Sequence, residues 1–84
     1  MFYVYLIESV EFGTYYIGQT NNIDERVNNY HNAGRCKYTK NRRPWKLIAY
    51  KTYTTRKEAM KEERRIKNLK SRKETLKSFT QTEA

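Results

Sequence analysis

Arg26 is the only basic residue among the first 34, in a chain whose 84 residues include 18 Lys and Arg. It closes the stretch TYYIGQTNNIDERV, which reads as a strand, a turn and a helix start. Junctions of that kind present side chains to ligands. A second residue stands out by its spacing. Ala59, Met60, Ile66 and Leu69 fall on one face of a helix, and the middle of that arc lies within about 30° of Glu63. A carboxylate therefore stands where a leucine is expected. Burying it ionised costs several kcal/mol unless a cation or hydrogen bonds compensate. Spacing alone leaves two readings open, a functional carboxylate or an edge residue paired with a neighbouring Lys or Arg. Glu62, nearer the margin of the arc, reads as an ordinary surface acid.

Charge says which partner such residues face. Residues 1–34 set one arginine against Glu8, Glu11, Asp24 and Glu25, whereas residues 35–84 set 17 Lys and Arg against five Glu, for a total of +9. A near-neutral scaffold joined to a strongly basic half points to a polyanion, nucleic acid first; a solvated basic surface is the plainer alternative. One cysteine, Cys36, and one histidine, His31, exclude a disulfide framework and a Cys/His zinc cluster. The opening FYVYLI lacks the length of a membrane span and the flanks of a signal peptide. An intracellular, cytoplasmic protein without membrane contact is expected.

The elements that must position these residues fit one small α+β domain over residues 1–79, with 80–84 as a frayed tail. FYVYLIES reads as a central strand covered on both faces. Gly13 marks a turn into an antiparallel second strand, TYYIG. Asn22 with Glu25 resembles a capping box, and Ile23, Val27 and Tyr30 fall at i, i+4 and i+7, so a helix is expected over 23–33, ended by Gly34. RCKYTKNRRPW has no period and reads as an exposed, unpacked basic loop. KLIAYKTY supplies a third strand of the same antiparallel sheet. The pairs Thr55–Glu58 and Ser71–Glu74 open two further helices, the last turning Leu76 and Phe79 inward.

Taken in order, YVY at 3–5, YIG at 16–18, Arg26, the NRRPWKLIAY segment and AMKEERRIK resemble the GIY-YIG nuclease superfamily, its small single-domain members above all. The likeness spans residues 2 to about 77. It implies metal-dependent hydrolysis of phosphodiester bonds in DNA, with Mg²⁺ or Mn²⁺ as cofactor and low or structure-directed specificity. It further implies Glu63 as metal ligand, Arg26 on the phosphate, Tyr5 acting on the attacking water and Tyr16 positioning water or phosphate. Gly18 would allow close approach of the backbone to substrate. Many relatives carry a histidine four residues after the arginine. Here Tyr30 holds that place and His31 follows it, rotated by about 100°, so either Tyr30 substitutes or the helix end shifts to bring His31 in. No counterpart is assigned for the asparagine that some members carry downstream of the glutamate. Lys37, Lys40, Arg42, Arg43 and Lys46 are expected on DNA phosphates, with Tyr38 or Trp45 able to stack on a base, Trp45 equally a core anchor. A monomer is expected. The competing reading is a non-catalytic DNA- or RNA-binding module on the same fold.

Overall fold

The structure, a computed structural model, describes residues 1–80; the expected frayed tail lies outside them except for Thr80, which still belongs to the last helix. The fold is α+β, a three-stranded antiparallel sheet flanked by helices. β1 (Phe2–Ser9) runs between β2 (Tyr15–Thr20) and β3 (Trp45–Tyr53), giving the order β2-β1-β3. Its Val4, Leu6 and Ile7 are fully buried, as expected of a strand covered on both faces. The β1–β2 connection turns at Gly13, whose φ of +72° only glycine adopts readily. Backbone bonds from the Ser9 N–H to Thr14 O (2.9 Å) and from the Gly13 N–H to Ser9 O (2.8 Å) close it.

Register decides which residues share a face. Tyr5 stands opposite Gly18 on one side and Tyr50 on the other, and Ile7 stands opposite Tyr16. A bulge between Leu6 and Ile7 then sets Ala49 and Leu47 against them and leaves Ile48 unpaired. Val4, Leu6 and Ile17 pack with Ala59 and Ile66, while Phe2, Ile48, Leu69, Leu76 and Phe79 border that cluster. On the other face Tyr5 and Ile7 pack with Val27 and Trp45, bordered by Tyr16 and Ile23. A fully buried aliphatic side chain such as Ile66 contributes about 1.5–3 kcal/mol by leaving water.

The helices begin where capping chemistry places them. In α1 (Ile23–Arg26) the Asn22 Oδ1 accepts from the Glu25 N–H (3.2 Å); in α2 (Arg56–Lys67) the Thr55 Oγ1 accepts from the Glu58 N–H (3.2 Å). α3 (Arg72–Thr80) starts with the Glu74 N–H on Ser71 Oγ (3.3 Å). Three expectations change. The helix over 23–33 is α-helical for only one turn and continues as a π-helical turn, Val27–His31. Met60 does not join the apolar face but is 43% exposed, because Ala59 and Ile66 alone fill the line over the sheet. The basic segment is packed at three points, with Cys36, Thr39 and Trp45 buried and a 3₁₀ turn at Lys40–Arg42. Among the described residues no helix is long and apolar enough to cross a membrane.

Candidate active site

Tyr5, Tyr16 and Gly18 share the sheet face that α1 covers, since paired positions of adjacent strands point the same way. The Tyr5 ring lies across Gly18 so closely that a methyl group built there would collide with its hydroxyl. Gly18 thus accommodates a tyrosine, a requirement distinct from the close approach of substrate expected from the sequence.

The Tyr5 hydroxyl meets His31 Nε2 at 2.7 Å, and His31 Nδ1 meets Thr39 Oγ1 at 2.9 Å, all three residues buried. Backbone geometry explains why the histidine arrives. A π turn closes its bonds from i to i+5, as in the Asn32 N–H on Val27 O at 2.9 Å. The residue five past Arg26 then takes the angular place that the residue four past would hold in an α-helix. Of the two possibilities open in the sequence, the helix shifts and His31 enters; Tyr30 instead lies under Arg26, whose guanidinium carbon is 4.5 Å from its ring centre.

Burial and neighbours set the charge states. Burial, followed by the nearby Tyr16, holds the Tyr5 phenol well above its usual range, and Arg26 offsets only part of this. Tyr16 is pushed up to about 12, by burial first and then by the adjacent Cys36. His31 is lowered to about 4, by burial first and the Arg26 cation second. At neutral pH the site therefore holds two neutral phenols and a neutral imidazole beside a guanidinium. Burial would raise the Cys36 thiol, but hydrogen bonds from Thr39, from the backbone of Tyr38 and Thr39 and from Tyr16 outweigh it.

Glu63 comes to this group from α2, on the far face, around the edge strand β2. Its charge acts on both Tyr5 and Tyr16. It is not in the middle of the apolar face; its side chain is 21% exposed and its Oε2 is 2.9 Å from Lys67 Nζ. Lys67 also stands over the Tyr16 ring, 5.6 Å from its centre. The roles expected of the two neighbouring glutamates in packing are exchanged. Glu62, not Glu63, is the more enclosed acid, 14% exposed, gripped by Lys51 at 2.7 Å and by the Nε and NH2 of Arg65 at 2.7 and 2.8 Å. These partners, Arg65 first, hold the Glu62 carboxyl at about 2.

Glu63, paired with one lysine rather than enclosed by two cations as Glu62 is, is the candidate for a divalent cation. Mg²⁺ is commonly bound through one or two carboxylates, with water and substrate phosphates completing its shell. Glu63 would supply one such carboxylate once the Lys67 ammonium moves off it. Among the described residues no group of three or more His, Cys, Asp or Glu gathers at one point, so a cage made wholly of protein ligands does not form. Asn68 shares the Glu63 groove with Met60, Arg64 and Lys67.

The expected phosphate-binding residues divide. Arg43 donates through Nε to Lys40 O (2.7 Å), Arg42 through NH1 to Thr14 Oγ1 (3.1 Å), and Lys46 pairs with Glu8 at 3.7 Å. These three hold the loop to the scaffold. Lys37 and Lys40 have exposed side chains with no such partner among the described residues. Arg35, absent from the sequence expectation, joins Arg26, Tyr30 and Asn22 in lining a groove of about 350 Å³. Trp45 is an anchor: it is buried, and its Nε1–H donates to Thr39 O at 2.8 Å. Tyr38, 77% exposed, remains available for stacking. The contacts of Thr39, Cys36 and Asn32 have no signal in residue spacing. Asn32 donates to Trp45 O (2.9 Å) and accepts from its N–H (2.6 Å), tying the π turn to the start of β3.

The chain is similar to known proteins over most of its length. The family model described as the GIY-YIG catalytic domain matches residues 1–77. The UPF0213 protein BH0048 of Halalkalibacterium halodurans is 35% identical over 71 residues, covering 84% of this chain and 74% of that protein. A UPF0213 protein of Halobacterium salinarum is 44% identical over 78 residues, covering 90% and 99%. The solution NMR structure of BH0048 aligns with a TM-score of 0.53 at 35% identity, covering 88% of this chain and 79% of that one. The chain belongs to the GIY-YIG family, a family of nuclease type.

Proposed function

We propose that the chain is a metal-dependent endonuclease that hydrolyses DNA phosphodiester bonds with low sequence specificity or in response to DNA structure. The observation that carries this reading is the Tyr5 hydroxyl held on a neutral His31 at 2.7 Å, with Arg26 beside both. In the tautomer with its proton on Nδ1, His31 donates to Thr39 and keeps the Nε2 lone pair for Tyr5. Attack by water on phosphorus then sends the water proton to the Tyr5 oxygen as the Tyr5 proton passes to Nε2. The phenol never has to exist as a free phenolate, which its burial disfavours.

Arg26 holds two non-bridging oxygens through its planar fork and opposes the charge that builds as the leaving oxygen departs. A bound phosphodiester also offsets the Arg26 cation, the lesser of the two effects that lower His31, and so raises its basicity in part at the moment it is used. Tyr16, beside His31 with ring centres 5.0 Å apart, orients water or phosphate. Glu63 would hold Mg²⁺ or Mn²⁺, which when bound supplies Lewis-acid polarisation of a phosphoryl oxygen. Lys37 and Lys40 contribute contacts to the backbone.

The Glu63–Lys67 ion pair favours a second reading, a DNA- or RNA-binding module in which that carboxylate is purely structural. Incubation with labelled linear, flap and branched DNA in Mg²⁺ or Mn²⁺, alongside Glu63→Gln and Arg26→Ala, separates the two. The nuclease reading expects cleavage by the parent, losses of about 10²–10³-fold in each variant and retained binding by Glu63→Gln. Binding without cleavage by the parent would leave the binding module, and undiminished cleavage by Glu63→Gln would remove the metal role given to that carboxylate.

A further inference from the structure

Residues 64–73 hold six Lys and Arg and no acid. The structure sorts these cations by whether they are already in use. Arg65 is spent on Glu62. Arg72 donates to Glu8 Oε2 and to the Gly13 carbonyl and lies 4.0 Å over the Tyr15 ring, pinning the start of α3 to the β1–β2 turn. Lys67 bridges Glu63 and the Tyr16 ring. The side chains of Arg64 and Lys70 are exposed and make no hydrogen bond or ion pair among the described residues.

Arg64 and Lys67 stand three residues apart on one side of α2, and Lys70 follows in the connection to α3, after the helix has ended at Lys67. Arg64 and Lys67 wall the groove of about 260 Å³ that contains Glu63. Lys67 and Lys70 wall a second groove of about 400 Å³ running along β2 past Thr14, Tyr15 and Tyr16. Lys67 belongs to both, so the two grooves meet beside Tyr16. The Arg26–Arg35 groove reaches the opposite end of β2, at Thr20. Lys70 itself has a φ of +51°, a left-handed conformation that is unfavourable for a side-chain-bearing residue. Glycine would take that conformation, in the connection between α2 and α3, with less strain, but it would remove the cation from the groove.

We propose that Arg64, Lys67 and Lys70 form a second phosphate-binding track, which carries the DNA backbone along the β2 edge away from Tyr16 and opposite the Arg26–Arg35 groove. The track rests on the nuclease reading above and names a contact surface that the 37–46 loop does not supply. Substrate would then lie across the edge strand, gripped at both ends of β2 with the scissile phosphate between. Lys67 would divide its charge between Glu63 and a phosphate.

The test is fluorescence anisotropy of the whole chain with a fluorescein-labelled DNA duplex across a salt series. The Arg64→Gln/Lys70→Gln variant is compared with Lys73→Gln/Lys77→Gln, which removes the same charge from exposed positions of α3. On the helical wheel Lys73 and Lys77 lie opposite Ser71 and Thr75, the groove-lining side. The track predicts that the first variant loses affinity on the order of tenfold and that its log–log salt slope falls by about two. The control stays within about twofold of the parent, since it breaks no phosphate contact. Equal losses in both variants, or none in the first, would overturn the track while leaving the nuclease reading standing. Failure of the parent to bind DNA would overturn both.

Discussion

The Tyr5 hydroxyl reaches His31 Nε2 at 2.7 Å because the helix carrying the histidine makes its second turn from i to i+5. A phenol and an imidazole on separate elements, 26 residues apart in sequence, are joined by one extra residue in a turn. Thr39 on the other ring nitrogen fixes the orientation of the imidazole.

If this pair carries the proton, His31→Gln should cut DNA at least about 100-fold more slowly than the parent while binding it equally well, the loss typical of a missing general acid–base group. Tyr30→Phe keeps the ring beneath Arg26 and should stay within a few-fold. Single-turnover cleavage under saturating protein decides it; the reverse ranking would assign the relay to Tyr30.

Gly18→Ala should disable the same relay from a distance. The new methyl group meets the Tyr5 hydroxyl and must push the ring off His31, since Tyr5 is buried and cannot swing into solvent. Cleavage should fall with little loss of DNA affinity, and folding stability should fall with it, because the ring carbon that bears the hydroxyl lies 2.6 Å from the new methyl and must move too. A variant as stable and active as the parent would show that the ring relaxes freely.

The two adjacent glutamates should separate by readout. Glu62→Gln leaves Lys51 and Arg65 without their carboxylate and should cost about 1–3 kcal/mol of stability, lowering Tm by roughly 4–8 °C per kcal/mol, with cleavage intact well below Tm. Glu63→Gln should do the opposite, because its partner Lys67 is half-exposed and remains solvated. Calorimetry beside a cleavage assay tests both, and a larger Tm loss for Glu63→Gln would contradict the packing described.

Acid should destabilise the fold in two stages. His31 has a folded pKa of about 4, below its ordinary 6.5. Between these values the unfolded chain binds the extra proton, so the His31 contribution is complete above pH 6.5 and is lost as pH falls towards 4. Glu62, at about 2 against 4.5, adds a second loss as pH falls through the interval between those values. Denaturant titrations across this range should show His31→Gln flattening the upper stage and Glu62→Gln the lower. A parent whose stability is level from pH 7 to pH 4 would contradict the buried neutral histidine.

What the sequence determines by itself is what short-range chemistry controls. The three strands, the capped starts of the helices and the left-handed ending at Gly34 follow from residue type and spacing within a few positions, as do Arg26 and Glu63 as residues out of pattern, whereas Tyr5 and Tyr16 become candidates only through the ordered likeness to the family. The tertiary structure decides the rest. Periodicity assumes a uniform α-helical turn and so places Tyr30 where His31 stands. The π turn is tied down by Asn32 to Trp45 and by His31 to Thr39, contacts that span a basic segment with no period of its own. The relative enclosure of Glu62 and Glu63 follows from Lys51, on a strand 11 residues before Glu62. Which cations remain for DNA depends on which are consumed by Glu8, Glu62 and the loop carbonyls. Composition counts charges, but only packed geometry neutralises them.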